Sequence, residues 1–415
     1  MVGKIFATRP PVTWHSASLR ETYLKNENDF AKVQQALEKD GALDFPSFAS
    51  GLFPASPLPL KIAKTTGMGD AWVRDSAMVA ASLAGCGRIR EAAKTAQALL
   101  KVFANASGLM KNIICEPKLA ADVENLPPAR VNGKTLAEHR KQHNAQNDSV
   151  GETLWLVAKL VSRKELVLDQ EQWRTLKLIA EYLIAIKYWD SSDNGAWEEA
   201  RKVEASSIGA VVAGLAKYRE TMQKFGKEIP RELDFAIAKG RKSLDQILPN
   251  ESCDPPELFR DADAAQLFLV EPLNIVTDEQ AEIIVENISR KLVRDIGIIR
   301  YAGDSYWSPD YREKYSLEQR AQYAGEERDQ FAIIGSEAQW TLFDPLLSVY
   351  YLKKFREKAR WHLERSLAQF VDTSNGWRIP EAFFLEGNKW VANDHVPLLW
   401  SQANVLRMFR EWAEK

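Results

Sequence analysis

Two loop segments share a layout that could do chemistry. In the first, DSSDNGAWEEARKVEASSIG from Asp190 to Gly209, a turn-rich run precedes Trp197 and the adjacent carboxylates Glu198 and Glu199. In the second, DTSNGWRIPEAFFLEGNKW, turn residues and Gly376 lead to Trp377 and then Glu381, which follows Pro380 on an extended backbone. A carboxyl packed against an indole loses hydration, and its pKa rises until it can donate a proton near neutrality. A second carboxylate can activate water or attack an anomeric carbon, so a pair such as Glu198 and Glu381 suits cleavage of a glycosidic bond. Taken singly, Glu198 and Glu199 read as a solvated loop pair and Glu381 as an ordinary loop acid. Two such loops, both at helix ends, carry more weight together.

Further loop residues would suit sugar hydroxyls. Arg74 and Asp75, beside Trp72, offer a donor and an acceptor in two directions, although the pair also reads as a structural ion pair. Arg300, Tyr301, Asp304 and Tyr306 repeat the theme in RYAGDSY. Asn144, Gln146, Asn147 and Asp148 stand at a helix start, where N-capping by Asn147 or Asp148 is the simpler explanation. Of 13 Trp, those at 72, 197, 307, 377 and 390 sit in polar loops, where an indole makes a platform for a sugar face. Trp340 lies in an apolar helical pattern and reads as core.

These residues need a scaffold, and the chain supplies helices. Apolar periodicity predicts helices at about 27–41, 76–87, 88–106, 149–163, 170–188, 206–222, 231–248, 278–292, 336–353, 354–371 and 397–413, the sixth capped by Ser206 or Ser207. Long loops at 108–147, 295–335 and 372–396, with a shorter central one at 189–204, alternate with tight helix-to-helix turns. Loops this long are usually functional. The pattern suits a ring of helical hairpins whose long loops gather at one end and build one cleft, with residues 1–45 as an N-terminal arm holding one helix and 46–415 as the main domain. No fixed-period repeat supports a solenoid.

Composition excludes several classes. With 55 Lys and Arg against 57 Asp and Glu, the chain of 415 residues has no basic field to attract nucleic acid. No run of about 18 apolar residues could span a bilayer, and the first residues lack a signal peptide's apolar core. Three scattered cysteines argue against a disulfide framework and for a cytoplasmic setting. Five histidines without zinc-type spacing imply no metal site, and two-carboxylate hydrolysis needs no cofactor. The protein partner, if any, is open.

In order along the chain, GDAWVRDS, HNAQNDSVGETLW, DNGAWEEARKVEASSIG, RYAGDSYW, GSEAQWTLFDPLLSVYYL, GWRIPEAFF and HVPLLWSQANVLRMF resemble glycoside hydrolase family 15, the glucoamylases, and the related helical domain of the phosphorylase kinase α and β subunits. The later segments look closer to the kinase-subunit branch. The resemblance implies an all-α (α/α)6 barrel and inverting release of glucose from the non-reducing ends of α-linked glucans. By motif, Glu198 resembles the general acid, Glu381 the general base, and Glu199 a subsite residue. Trp72, Arg74, Asp75 and Arg300 resemble the wall that grips the terminal glucose, and Trp197, Tyr301 and Asp148 fall in the same motifs. Two departures stand out: Ala382 follows the acid where the family commonly has Gln, and the short stretch before the first motif leaves no room for the N-terminal β-sandwich of many secreted relatives. Two other readings remain: the same mechanism on trehalose or an α-1,6 glucan, and a regulatory or carbohydrate-binding protein without catalysis.

Overall fold

The computed structural model describes residues 11–58, 68–138, 145–316 and 334–415. Among these residues, helices alternate between two concentric rings, the architecture of an (α/α)6 barrel. The chain opens with α1 (Ala17–Lys25) and α2 (Phe30–Lys39). The first barrel hairpins pair α3 (Val73–Gly85) with α4 (Ile89–Asn105) and, after α5 (Ser107–Cys115), α6 (Asn147–Ser162) with α7 (Gln170–Ala185). Next come α8 (Ala205–Lys224), α9 (Arg231–Ile247), the short α10 (Leu267–Val270) and α11 (Asp278–Lys291). The chain ends with α12 (Pro309–Lys314), α13 (Asp344–Leu352), α14 (Arg356–Ala368) and α15 (Leu399–Ala413).

The inner ring closes in the order α3, α6, α8, α10, α13, α15 and back to α3. A helix flanked by two ring neighbours and backed by an outer helix has no solvent face, so its sequence must be apolar or small all round. That is why α3 reads as an unbroken run from Ser76 to Ala84 and why α6 is buried from Asn147 to Ala158. The outer helices are amphipathic; α4 buries Ala92, Ala96, Leu99, Val102 and Phe103 along one stripe. The α6–α8 contact is very close: a Cβ on Gly151 would stand 2.7 Å from the Val211 backbone, and one on Gly214 would stand 2.4 Å from the Gly151 carbonyl. Leu19, Tyr23, Val33 and Leu37 of the first two helices belong to the same continuous core as the barrel, and α2 lies against α15.

Short strands decorate one end of the barrel. They form four small antiparallel sheets, pairing β1 (Ala71–Trp72) with β2 (Arg130–Val131) and β3 (Val203–Glu204) with β4 (Ser252–Asp254). Then β5 (Gln339–Trp340) joins β8 (Ala382–Glu386) and β9 (Lys389–Ala392), and β6 (Val371–Thr373) pairs with β7 (Gly376–Arg378).

Several sequence expectations need correcting. The N-terminal arm holds two helices, because Ser16 and Asp29 each cap one. The stretch 108–147 is no featureless loop: α5, two 3-10 turns and β2 lie within it, α5 burying Met110 and Ile113. The helix expected at 336–353 starts only at Asp344, with Pro345 in its first turn, where the missing N–H costs nothing. Gln339 and Trp340 before it form a strand whose backbone pairs with β8. The stretch 372–396 is two hairpins, the second turning at Gly387. His143 and Asn144, the start of the second motif, lie outside the described residues, as do the first ten residues.

Candidate active site

The motif residues converge where the inner helices begin. Trp72, Arg74 and Asp75 open α3, Gln146 and Asp148 open α6, and the loop 193–204 leads into α8. Trp340 precedes α13, and Glu381 lies on the hairpin before α15.

Loop 193–204 is a rigid clip. Asp193 and Lys202 exchange both backbone hydrogen bonds, at 3.0 and 2.9 Å. Asn194 accepts from the Ala145 amide through its side chain at 2.8 Å and donates to the Glu199 carbonyl at 2.5 Å. Arg74 fastens the tip: its Nη1 and Nη2 donate to the carbonyls of Ala196 and Gly195 at 2.9 and 3.0 Å, while Nε donates to Asp148 Oδ2 at 2.7 Å. Buried and surrounded by Asp148, Glu198 and Glu152, the guanidinium stays charged, since these carboxyls outweigh the effect of burial on its pKa. At the tip, Glu198 has φ of 59°, a left-handed conformation that costs a non-glycine residue of order 1 kcal/mol and that the clip imposes. Its side chain is 23% exposed, with Oε1 3.3 Å from Gln146 Nε2 and 3.9 Å from Arg74 Nη1. Glu198 therefore presents its carboxyl to the cleft.

Glu199 points the other way. It is fully buried, with Oε2 accepting from Arg260 Nη2 at 2.8 Å and Lys202 Nζ at 3.4 Å. Its Oε1 accepts from Tyr301 Oη and lies 3.8 Å from Arg300 Nη2. Arg260 also pairs with Asp263 at 2.8 Å and lies flat on the Tyr301 ring, 3.3 Å from its centroid. These contacts make Glu199 an anchor of the wall, and its carboxylate has no open face for a sugar.

Glu381 is also buried, on the backbone partner of Thr341 and His395. Its Oε2 accepts from Asn393 Nδ2 at 2.7 Å and Tyr306 Oη at 3.4 Å, and lies 2.7 Å from His395 Nδ1. Burial pushes the carboxyl up, but His395, Asn393 and Arg300 outweigh it and hold Glu381 below the usual glutamate range. Asp75 feels the opposite balance. Burial raises it to about 7 against the pull of Arg74, and the negative charges of Glu198 and Glu381 add to the rise. Asp75 thus lies within electrostatic reach of both carboxylates, and the three share one mouth.

An aromatic wall joins the two loops. Trp197 tilts against Trp340 at 5.8 Å between centroids, and Tyr306 stacks on Trp340 at 5.7 Å. Arg300 sits on all three rings, 5.0, 5.1 and 4.8 Å from Trp197, Trp340 and Tyr306, with Asp304 bound through Nε at 2.6 Å and Nη2 at 2.5 Å. Two expectations change here. Arg300 is buried and paired, so it stiffens the wall from behind. Trp197 and Trp307 are core residues, the former donating Nε1–H to Asp263 at 2.8 Å, while Trp377 latches to Ser18 of the arm at 2.8 Å. Trp72 is half-buried under Arg130, whose guanidinium lies 5.4 Å from the ring, and its own Nε1–H has no protein acceptor among the described residues.

The helix starts are capped from outside. Asn147 N–H donates to Asp193 Oδ2 at 2.8 Å, and Ser206 donates to Glu251 Oε1 through N at 3.1 Å and Oγ at 2.5 Å. Asp148 instead serves Arg74, and neither Ser206 nor Ser207 is an N-cap. Burial, with neighbouring acids, raises both Asp193 and Glu251 well above the carboxylate range. Glu204 rises to about 7 by burial against Lys202 and Arg260. Sequence reasoning missed Arg260, Asp263, Asn393 and His395. The first two sit in an unremarkable acidic loop, whereas the last two follow a hairpin legible as EGNK between apolar alternations. Among the described residues, no group of three or more His, Cys, Asp and Glu is arranged to hold a metal ion.

With this geometry in place, the comparisons are clear on family. The model of glycosyl hydrolases family 15 matches residues 32–406. Among solved structures, a wild-type glycosidase is 19% identical with a TM-score of 0.66, over 96% of this chain and 98% of its own. A bacterial glucoamylase complexed with acarbose is 16% identical with a TM-score of 0.64, over 88% of this chain and 53% of its own. The glucoamylase from Saccharomycopsis fibuligera is 13% identical with a TM-score of 0.59, over 99% and 98%. No curated protein matches in sequence. No helix among the described residues is long and apolar enough to cross a membrane.

Proposed function

From the premise that the chain belongs to glycosyl hydrolases family 15 and is a glycoside hydrolase, we propose that it is an inverting exo-glucosidase. It removes glucose from non-reducing ends of α-1,4-linked glucans or maltooligosaccharides, with Glu198 as general acid and Glu381 as general base. The observation that carries the reading is the contrast between two carboxyls at one mouth. Glu198 is partly exposed at a strained tip, while Glu381 is buried yet held ionised by His395 and Asn393. One carboxyl aimed at the cleft and a second kept deprotonated, ready to accept a proton, is the division of labour that inversion requires.

In this mechanism the terminal glucose enters beside Trp72 and Asp75, where the Asp75 carboxyl bonds sugar hydroxyls. Glu198 gives its proton to the leaving glycosidic oxygen as the C1–O bond breaks. Glu381 takes a proton from the water that attacks C1 from the opposite face, which yields β-glucose. Arg74 orients Glu198 through the clip, and Glu199 with Arg300 stiffens the wall. Free cysteines at 86, 115 and 253 support a reducing, cytoplasmic setting.

The test is to follow maltotriose through maltoheptaose, with trehalose and isomaltose alongside, by proton NMR. Early β-glucose from the malto-series, lost in Glu198→Gln and in Glu381→Gln while both variants stay folded, is the expected result. Release from trehalose or isomaltose alone would move the linkage. Full activity in either variant would sink the assignment.

A further inference from the structure

The hairpin that carries Glu381 also brings two polar side chains back against it. Pairing of β8 with β9 runs from Glu386 opposite Lys389 to Phe383 opposite Ala392. It continues past the strands, with Asn393 N donating to the Ala382 carbonyl at 2.9 Å and Glu381 N donating to the His395 carbonyl at 3.0 Å. Cross-strand neighbours have touching side chains, so this register sets Asn393 and His395 beside Glu381. Both are buried. The imidazole is wedged edge-on against Trp307, ring centres 5.4 Å apart at 89°, which fixes its plane.

All three side-chain contacts of Glu381 fall on one oxygen. Asn393, His395 and Tyr306 meet Oε2 at 2.7, 2.7 and 3.4 Å, while Oε1 has no side-chain donor among the described residues. An ionised carboxylate only accepts hydrogen bonds, so a 2.7 Å contact requires a proton on His395 Nδ1. Oε2 is then saturated, and basicity is concentrated on Oε1.

We propose that His395, seconded by Asn393, is a positioning residue of the catalytic base: its Nδ1–H saturates Oε2 and leaves Oε1 as the proton-accepting oxygen toward the attacking water. This deepens the proposed function and rests on Glu381 being the base. Besides these donors, Arg300 and Asp75 bear on Glu381 electrostatically, one lowering and one raising its proton affinity. Removing His395 therefore leaves burial and Asp75 opposed by Arg300 and the Asn393 and Tyr306 hydrogen bonds. The fraction of Glu381 that is ionised near neutrality falls.

The probe is α-D-glucosyl fluoride. Its C1–F bond breaks without strong protonation, water forms the new C1–O bond, and the base takes the water's proton, so the assay isolates Glu381 from Glu198 and from linkage preference. His395→Phe keeps the contact with Trp307 but loses the donor. It should lower kcat roughly 10- to 100-fold with KM little changed, and move the acid limb of kcat/KM up by about one pH unit. His395→Gln, which keeps an N–H, should recover a large part of kcat. Independently of turnover, the ¹⁵N shifts of the His395 ring should report the Nδ1-protonated tautomer, changed by Glu381→Gln. If Glu381→Gln is inactive while His395→Phe keeps its kcat and acid limb, this inference fails and the assignment of the base survives. If Glu381→Gln turns over the fluoride normally, both fall. An Nε2-protonated His395 overturns the inference even in a protein that cleaves nothing.

Discussion

Replacing Gly195 with Ala tests whether the clip aims Glu198. Gly195 has φ of 60°, where a side chain costs roughly 1–2 kcal/mol. An added Cβ would lie 1.5 Å from Glu204 Oε2, so that buried carboxyl must retreat by about 2 Å to reach van der Waals distance. Such a retreat strains the Lys202–Glu204 contact at 3.0 Å, and breaking a buried pair outright costs roughly 3–5 kcal/mol. A partial break plus the backbone cost gives about 3 kcal/mol. For a chain of this length, at roughly 2.1 cal/mol/K of unfolding entropy per residue, that lowers Tm by about 3 °C. The functional effect is larger than the stability effect. Gly195 bonds Arg74 through its carbonyl and stands three residues before Glu198, and a displacement of about 1 Å at a catalytic group costs on the order of 100-fold in rate. Thermal melts and initial rates of glucose release measure the two arms. A variant with unchanged Tm and kcat within twofold of the parent would refute the view that the clip positions the acid.

Other predictions follow from the same wall. Asp148→Ala removes the Nε partner of Arg74 in a buried site; denaturant unfolding should show a loss of about 3 kcal/mol, with a fall in kcat as the clip loosens. Glu204 bears on pH. Its folded pKa, about 7, lies above the ordinary 4.5, so the native state holds the proton more tightly than the unfolded chain. Its effect on stability is fully favourable below about pH 4.5 and is lost as pH rises through 7, a decline on the order of 3 kcal/mol. Glu204→Gln should flatten the dependence of Tm on pH across that window, and an unchanged slope would remove Glu204 as its source.

Much of this architecture could be read from residue patterns, because burial leaves periodic traces. The outer helices alternate apolar and polar faces, and the ends expected at 231–248 and 278–292 fall within a residue or two of Arg231–Ile247 and Asp278–Lys291. Both candidate carboxylates were visible through the repeated turn, Gly and Trp arrangement around them. The Trp residues are where the pattern misleads, since an indole in a polar stretch need not face solvent. Trp197 packs on Phe343 and Trp340 while its neighbour Glu198 turns outward, and only the left-handed φ at 198 separates the two directions. Partners from distant segments were the least accessible. Arg260 and Asp263 reach Glu199 and Trp197 across tens of residues, and no local spacing encodes that encounter.

Opening the inner helices toward the cleft has an electrostatic cost that the chain resolves. Each long helix start carries about half a positive charge on unpaired N–H groups, and a ring of them would repel the cationic, oxocarbenium-like sugar of glycoside cleavage. Here Asp193 covers the start of α6 and Glu251 that of α8, while Asp75 occupies the first turn of α3. The mouth therefore greets a developing cation with carboxyl oxygens in place of bare amides. Burial and neighbouring acids favour the neutral form of Asp193 and Glu251, so isosteric amides at these two caps would preserve both helices and leave the charge of the rim little changed.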